Sequence, residues 1–389
     1  MKRYLRDDLG ACQLITASNF GPADDVRLGD LQRWDWSACD VIEQNQFVST
    51  VHKGPKAFWR IDAGNFFVPH SATGDGVTPA LRKYVVGRPF IVSSTNWVPP
   101  NPYTAEGPVM TAAYGAMNGL DGVLWFAAQA PAYHTQPYMT WWTIKGSHPM
   151  PRWSISHPAF LSQFPAASLI LRQGLVDPAG VVVHECRSVK EMVDREAPLL
   201  TESLTYNPAD HVEQAAQAKR SLMEAADANA FLVGRVEAVY GKEVGDNRVA
   251  DLSRHVDPES GVIRTTHGQV LLDRCEGVLR IDAPQAQGVV GFLKVAGGSF
   301  QMRDVTIRSE NEYASIVLVP LDGLPLRTSK KVLVQVGTRA FPTGWTTRPA
   351  TRKVKGRTLE GLEIVSTGKM PWRVENASAT LSIANPALR

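Results

Sequence analysis

The chain has 389 residues, 44% hydrophobic and 20% charged, with a formal net charge of +3, which describes an ordinary globular protein of one large or two smaller domains. Its basic residues are scattered, so no nucleic-acid partner is expected, and no run of about eighteen apolar residues is present to span a membrane. The four cysteines, Cys12, Cys39, Cys186 and Cys275, lie far apart without a CxxC pair; neither a disulfide framework nor a metal site follows, and no cofactor is implied.

The start, MKRYLRDDLG, is charged and carries no apolar leader segment, which makes cytoplasm the default expectation. Residues 5–9 read as the end of a helix with Gly10 as its cap. Residues 13–16 read as a strand ending at Ser18, Asn19 and Phe20. Residues 28–34 are helical in pattern, and a second strand begins at Asp40 and ends near Gln44, Asn45 and Gln46. Residues 81–86 read as a helix tail.

The stretch from Arg88 to Phe126 is the most informative. An apolar strand, 90–93, leads into an aromatic, proline-rich loop with Asn96, Trp97 and Tyr103. A helix over 108–117, a turn at Gly119 and a second strand over 123–126 follow. Strand, loop, helix, turn, strand is the rhythm of a parallel sheet covered by helices. Ligands of such sheets bind beyond the C-terminal ends of the strands. Asn19, Asn45, Asn96, Trp97, Tyr103 and Trp125 are therefore expected to line a cleft. An exposed Trp97 beside amides suits a sugar, whose C–H faces stack on rings while its hydroxyls seek amides. The same rings could instead pack beneath the loop.

Residues 131–178 are rich in aromatics, His and Pro, including Tyr133, His134, Tyr138, Trp141, Trp142 and Trp153, and end in a helix stopped by Gly174. A strand follows over 181–184. Ser188 with Glu191 forms a capping box, and 209–232 has a longer amphipathic helical pattern. From about Asp257 the text changes to short strands punctuated by Gly, Asp-Gly and Pro, the pattern of a β-sandwich. Its last strands fall at 362–366 and 379–383. Three regions result: a β/α domain over 1–178, a helical connection over 179–256 and a β-sandwich over 257–389. The basic run 347–357 has no interleaved aromatics and reads as a solvated turn. Trp345 and Trp372 are candidate glycan contacts of the sandwich.

The order of GPVMTAAYGAMNGLDGVLWF, FPAASLILRQG, IDAPQAQGVVGF and LDGLPLRTSKKVLVQV resembles large bacterial glycoside hydrolases. In these a (β/α)8 barrel, of the clan of β-galactosidases and endo-glucanases or mannanases, precedes a C-terminal β-sandwich. The resemblance covers nearly the whole chain. It implies an α/β plus all-β fold, a partial or partner-completed (β/α)8-type barrel followed by the sandwich, with the strands named above as the fifth to eighth. It also implies hydrolysis of O-glycosidic bonds without a cofactor.

Two departures stand against that activity. The clan's nucleophilic glutamate ends the seventh strand in a pattern like TExxW, and here Ser94 of Ser93-Ser94-Thr95-Asn96-Trp97 holds its place. The clan's acid/base residue would lie before Met1. Retaining hydrolysis needs two carboxylates about 5 Å apart. Glu106 is the candidate substitute nucleophile or base, although a carboxylate there also suits a helix N-terminus. Glu43 and the turn residue Asp121 are further carboxylates nearby, and no GxSxG elbow surrounds Ser94. Two functions follow: a glycoside hydrolase-like protein with a carbohydrate-binding cleft, or a non-catalytic carbohydrate-binding or assembly subunit. Half a barrel would leave open edges and an apolar face, so a second chain or self-association is an expected partner.

Overall fold

The computed structural model describes residues 2–21, 25–76, 78–127, 150–202, 226–242 and 245–388. Its first part carries strands β1 (Ile42–Asn45), β2 (His52–Lys53), β3 (Arg60–Ile61), β4 (Phe66–Phe67), β5 (Lys83–Val85) and β6 (Phe90–Thr95). β7 (Gly122–Trp125), β8 (Met150–Pro151), β9 (Val181–Ser188), β10 (Arg235–Gly241) and β11 (Arg248–Val249) follow. The helices are α1 (Asp25–Trp36), α2 (Ala72–Asp75), α3 (Glu106–Asn118), α4 (Pro158–Leu161), α5 (Phe164–Gln173), α6 (Val189–Val193) and α7 (Ala230–Val233).

The expected βαβ unit forms. β1, β6 and β7 are parallel neighbours, with Ile42 opposite Phe90 and Val92 opposite Val123, and α3 crosses over between β6 and β7. Residues 13–16 are not a regular strand, yet Ile15 O accepts from Asp40 N and Asn19 O accepts from Asn45 N, so this segment runs beside β1. All thirteen residues of α3 are buried, as expected for a helix apolar on every side. Small residues permit the close fit: a Cβ on Gly107 would stand 2.7 Å from the Trp97 ring and 2.8 Å from Phe160. Gly119 ends the helix at φ +72°, where a side chain would be strained.

No closed barrel forms among the described residues. The parallel strands divide between β1–β6–β7 and a second sheet of order β11–β9–β10–β5. Residues 83–85, expected as a helix tail, are a strand of that second sheet, paired with β10 through Lys83 and Val236. A three-residue strand takes its hydrogen bonds from a partner about 150 residues away, which local pattern cannot show.

A buried ionic network locks α1 onto this sheet. Lys83 Nζ lies 3.0 Å from both oxygens of Asp30 and 2.5 Å from Glu185. Arg187 and the Tyr240 hydroxyl also donate to Asp30, at 2.8 and 2.7 Å. Arg33 reaches Glu202 at 2.6 Å. Burial alone would raise the pKa of Asp30; Lys83, Arg33 and Arg187 outweigh it and hold the carboxyl below the ordinary range.

The C-terminal part contains β12 (Val256–Asp257), β13 (Val262–Arg264), β14 (Val270–Asp273), β15 (Val278–Ala283), β16 (Ala286–Gly291) and β17 (Ser299–Gln301). It continues with β18 (Val305–Ser309), β19 (Ala314–Pro320), β20 (Val332–Gly337), β21 (Ala340–Val354), β22 (Arg357–Val374) and β23 (Ala379–Ile383). A seven-stranded antiparallel sheet, β12–β13–β14–β15–β16–β19–β20, is accompanied by a three-stranded one, β17–β18–β23. Alternate residues of the large sheet serve two cores. Val278, Val289, Ile316 and Leu318 share one with Phe300, Val305 and Ile307. Leu279, Val290, Val317 and Val319 belong to the other, with residues of α3 and α5. A strand such as β19 is apolar throughout because both its faces are covered.

β21 and β22 form a long hairpin whose second strand also pairs with β4, Leu362 opposite Phe67. The strand expected at 362–366 is thus the middle of β22, while β23 matches 379–383. Trp345 and Trp372 pack beside Ile61, Phe67, Met150 and Ile364. The capping box forms at the start of α6, and α5 ends at Gly174. The amphipathic pattern at 209–232 falls largely outside the described residues, as do Tyr133, His134, Tyr138, Trp141 and Trp142.

Candidate functional site

The C-terminal ends of β1, β6 and β7 meet in a continuous backbone network. Gln46 N donates to Ser94 O, Val48 N to Asn96 O, and Phe126 N to Thr95 O. The segment after β8 joins the rim, with Ala127 N donating to Trp153 O and Ile155 N to Ala127 O. These bonds hold residues 46–48, 94–98, 126–127 and 153–155 together.

Aromatic rings crown this rim. Phe47 stands edge-on to Trp153 at 4.8 Å and to Phe126 at 6.0 Å. Phe58 meets Trp153 at 5.8 Å and Trp59 at 4.8 Å. Trp153 Nε1 donates to Phe58 O, and Arg152 N donates to Trp59 O, tying the two segments together. Phe58, Trp59 and Phe126 are 59%, 56% and 45% exposed. Three large rings open to solvent at the end of a parallel sheet are a surface that invites a ligand. Beneath them, Ser93 Oγ, Thr95 Oγ1, Asn96 Oδ1 and Ser156 Oγ have no partner among the described residues.

The expected site residues separate into three groups. Asn19, Asn45, Ser94 and Asn96 belong to the strand ends: Asn45 N is bound by Asn19 O, and the Asn96 amide donates to Ser154 O at 3.2 Å. Asn96 is 1% exposed, so its amide faces inward. Trp97, Tyr103 and Glu106 lie deeper, where the β/α part meets the large sheet. The exposure expected for Trp97 is not found: the residue is fully enclosed and its indole donates to Glu106 Oε1 at 3.0 Å. A loop of three prolines and two asparagines reads as surface, but here it folds over the ring. Half-buried Tyr103 packs on Phe292 and Tyr313. Trp125 turns to the helix side of the sheet, edge-on to Phe160 and Phe164. It borders a cavity of about 560 Å³ between β7, α3 and α5.

Glu106 is enclosed at the start of α3. Ser71 Oγ donates at 2.6 Å, Ala72 N at 2.6 Å and Trp97 Nε1 at 3.0 Å, and the Tyr313 hydroxyl lies 3.2 Å away. Tyr313 also accepts from Glu106 N and contacts Tyr103 O. Burial raises the Glu106 pKa to about 7, against the lowering effect of these hydrogen bonds. The geometry is that of an anchor joining α2, the Trp97 loop, α3 and β19. Glu43 on β1 accepts from Thr16 Oγ1, and Asp121 caps the Phe90 amide. None of the residues making the rim carries a carboxylate.

The ring cluster was not legible as a site because Phe47, Phe58 with Trp59, Phe126 and Trp153 come from four separate stretches of chain. A faint signal was present in Phe58-Trp59, two adjacent large rings in a turn between Gly54 and Gly64. Among the described residues no group of three or more His, Cys, Asp or Glu could hold a metal ion, and no helix is long and apolar enough to cross a membrane. Comparison with family models, with curated proteins and with solved structures gave no match. The fold defines a strand-rich mixed α/β protein whose candidate site is an aromatic rim at parallel strand ends.

Proposed function

We propose that the protein binds carbohydrate on this rim and does not hydrolyse it. The observation that carries the reading is the exposed ring cluster of Phe58, Trp59 and Phe126, held from behind by Phe47 and Trp153 at the C-terminal ends of β1, β6 and β7. Sugar C–H faces stack on such rings, and rings already packed edge to face lose little freedom on binding. The motif resemblance to barrel glycoside hydrolases agrees with a carbohydrate ligand. Ser94 in place of the expected glutamate, and a Glu106 enclosed by four partners, argue against turnover.

The test is electrophoresis of the native protein through gels containing a panel of polysaccharides, beside an assay for released reducing ends. At least one polysaccharide should retard the protein without product. The Trp59→Ala and Trp153→Ala double variant should lose about tenfold in affinity, as expected for two stacking contacts. Product release that survives purification would show a hydrolase instead. Retardation unchanged in the double variant would remove the rim from the function.

A further inference from the structure

We propose that the rim takes an anionic carbohydrate, a polysaccharide bearing uronate or sulfate groups; this rests on the rim being a sugar-binding surface. The turn that presents Phe58 and Trp59 also presents two cations. It begins at Lys53, the last residue of β2, and passes through Lys56, whose carbonyl receives both Trp59 N and Arg60 N at 3.0 Å. Lys56 is exposed and has φ +58°. A side chain in that conformation costs about 1 kcal/mol relative to the glycine that would relax it. Lys56 thus puts a positive charge two residues before the two exposed rings.

Two arginines reach the same place from distant parts of the chain. The Arg352 guanidinium of the hairpin donates to Lys53 O at 3.0 Å. The Arg152 guanidinium, largely buried in the bend that follows β8, lies 5.3 Å from the centre of the Trp153 ring. The hairpin is thus tied through Arg352 to the start of the turn that carries Phe58 and Trp59. Two of the acids nearby are already paired, while exposed Glu360 of the hairpin has no ion pair among the described residues. Asp62 accepts two bonds from Arg60, and Glu363 is paired with Arg348 at 2.7 Å. Among the described residues neither Lys53 nor Lys56 has an ion-pair partner. His52, next to Lys53, registers the resulting field: burial first, then Arg152 and Lys53, push its pKa down to about 3.

Single-stranded nucleic acid is the other polyanion that seeks rings and cations. Successive bases need ring faces that run parallel, whereas Phe47, Phe58, Trp59 and Trp153 meet at 66–88°. Separate, non-parallel ring faces for individual sugars, with charge beside them, are what this surface offers.

The experiment uses matched backbones: polygalacturonate against its fully methyl-esterified form, and dextran sulfate against dextran, with an oligo-dT control. Gels are run at about 0.01 M and about 1 M salt, where the screening length falls from about 30 Å to about 3 Å. At low salt an acidic polymer should retard the protein about tenfold more than its neutral counterpart, the effect of two or three screened charge contacts. High salt, or the triple variant Lys53→Ser, Lys56→Ser, Arg352→Ser, should remove that difference. Equal retardation by the neutral form, unchanged by salt, would overturn the proposal while leaving the ring platform intact. Acid binding untouched by the Trp59→Ala, Trp153→Ala double variant would overturn both readings. Oligo-dT binding as tight as that of the acidic polymer would assign the surface to nucleic acid and overturn the proposal.

Discussion

Glu106 shows how a single residue can look catalytic and act as a joint. Its carboxyl is fully enclosed and its pKa is raised from 4.5 to about 7, chiefly by burial. Between those values the folded protein holds a proton that the unfolded chain releases. Its contribution to stability is therefore full below about 4.5 and lost as pH rises to about 7, a change of about 3 kcal/mol. His52 and His157 act in the opposite sense. Their pKa values are lowered to about 3 and about 4, mainly by burial, so stability is lost as pH falls from 6.5 towards those values. The Glu106→Gln variant isolates the first effect. Urea unfolding at pH 5 and pH 8 should show the wild type losing about 3 kcal/mol more than the variant over this interval; parallel profiles would contradict the assignment. At this scale the sequence allowed both roles for Glu106, because its partners Ser71 and Tyr313 lie 35 and 207 residues away. Trp97 was misplaced for a similar reason: its indole partner is near in sequence, but the residues that cover it are not.

At the scale of elements, local signals were read well where the stabilising contacts are local. The capping box of α6 and the glycine stop of α5 follow from neighbours within one or two turns, and the β6–α3–β7 crossover from elements consecutive in the chain. Residues 81–86 read as a helix tail because the pairing of β5 to β10 is distant in sequence and Lys83 carries a charge. Lys83 is 1% exposed although β5 is the edge strand of its sheet, and a lysine in sequence ordinarily marks a surface. Its burial depends on Asp30 and Glu185 from two other elements. Removing one partner of such a group leaves an uncompensated charge, so Asp30→Asn should destabilise the fold by about 3–5 kcal/mol. Lys83→Met alone should cost a similar amount, since it strands two carboxylates. Denaturant midpoints would measure both, and a loss below about 1 kcal/mol would show that α1 docks without the network.

For the whole molecule, the large antiparallel sheet is the shared wall of two cores. One face packs on β17, β18 and β23 and the other on α3 and α5, so the β/α part and the antiparallel sheets are joined by buried apolar surface. The run SIVLVP in β19 reads as one more short sandwich strand, and its burial on both faces came from the structure. What covers the second face came only from the structure. The arrangement predicts one cooperative unfolding transition. Tryptophan fluorescence and far-ultraviolet dichroism should report the same midpoint, whereas an early separate loss of sheet signal would mean the halves unfold independently.

The parallel sheet in turn sets the rim where the rings meet. The central claim, that this rim holds carbohydrate, is tested most directly by hydroxyl-radical footprinting with an oligosaccharide cut from whichever polymer retards the protein. Phe58, Trp59 and Phe126 should be protected from oxidation by the ligand, with enclosed Trp97 unreactive in both states. Protection that leaves these three rings untouched and falls instead on Trp345 or Trp372 would place binding on the hairpin and contradict the account.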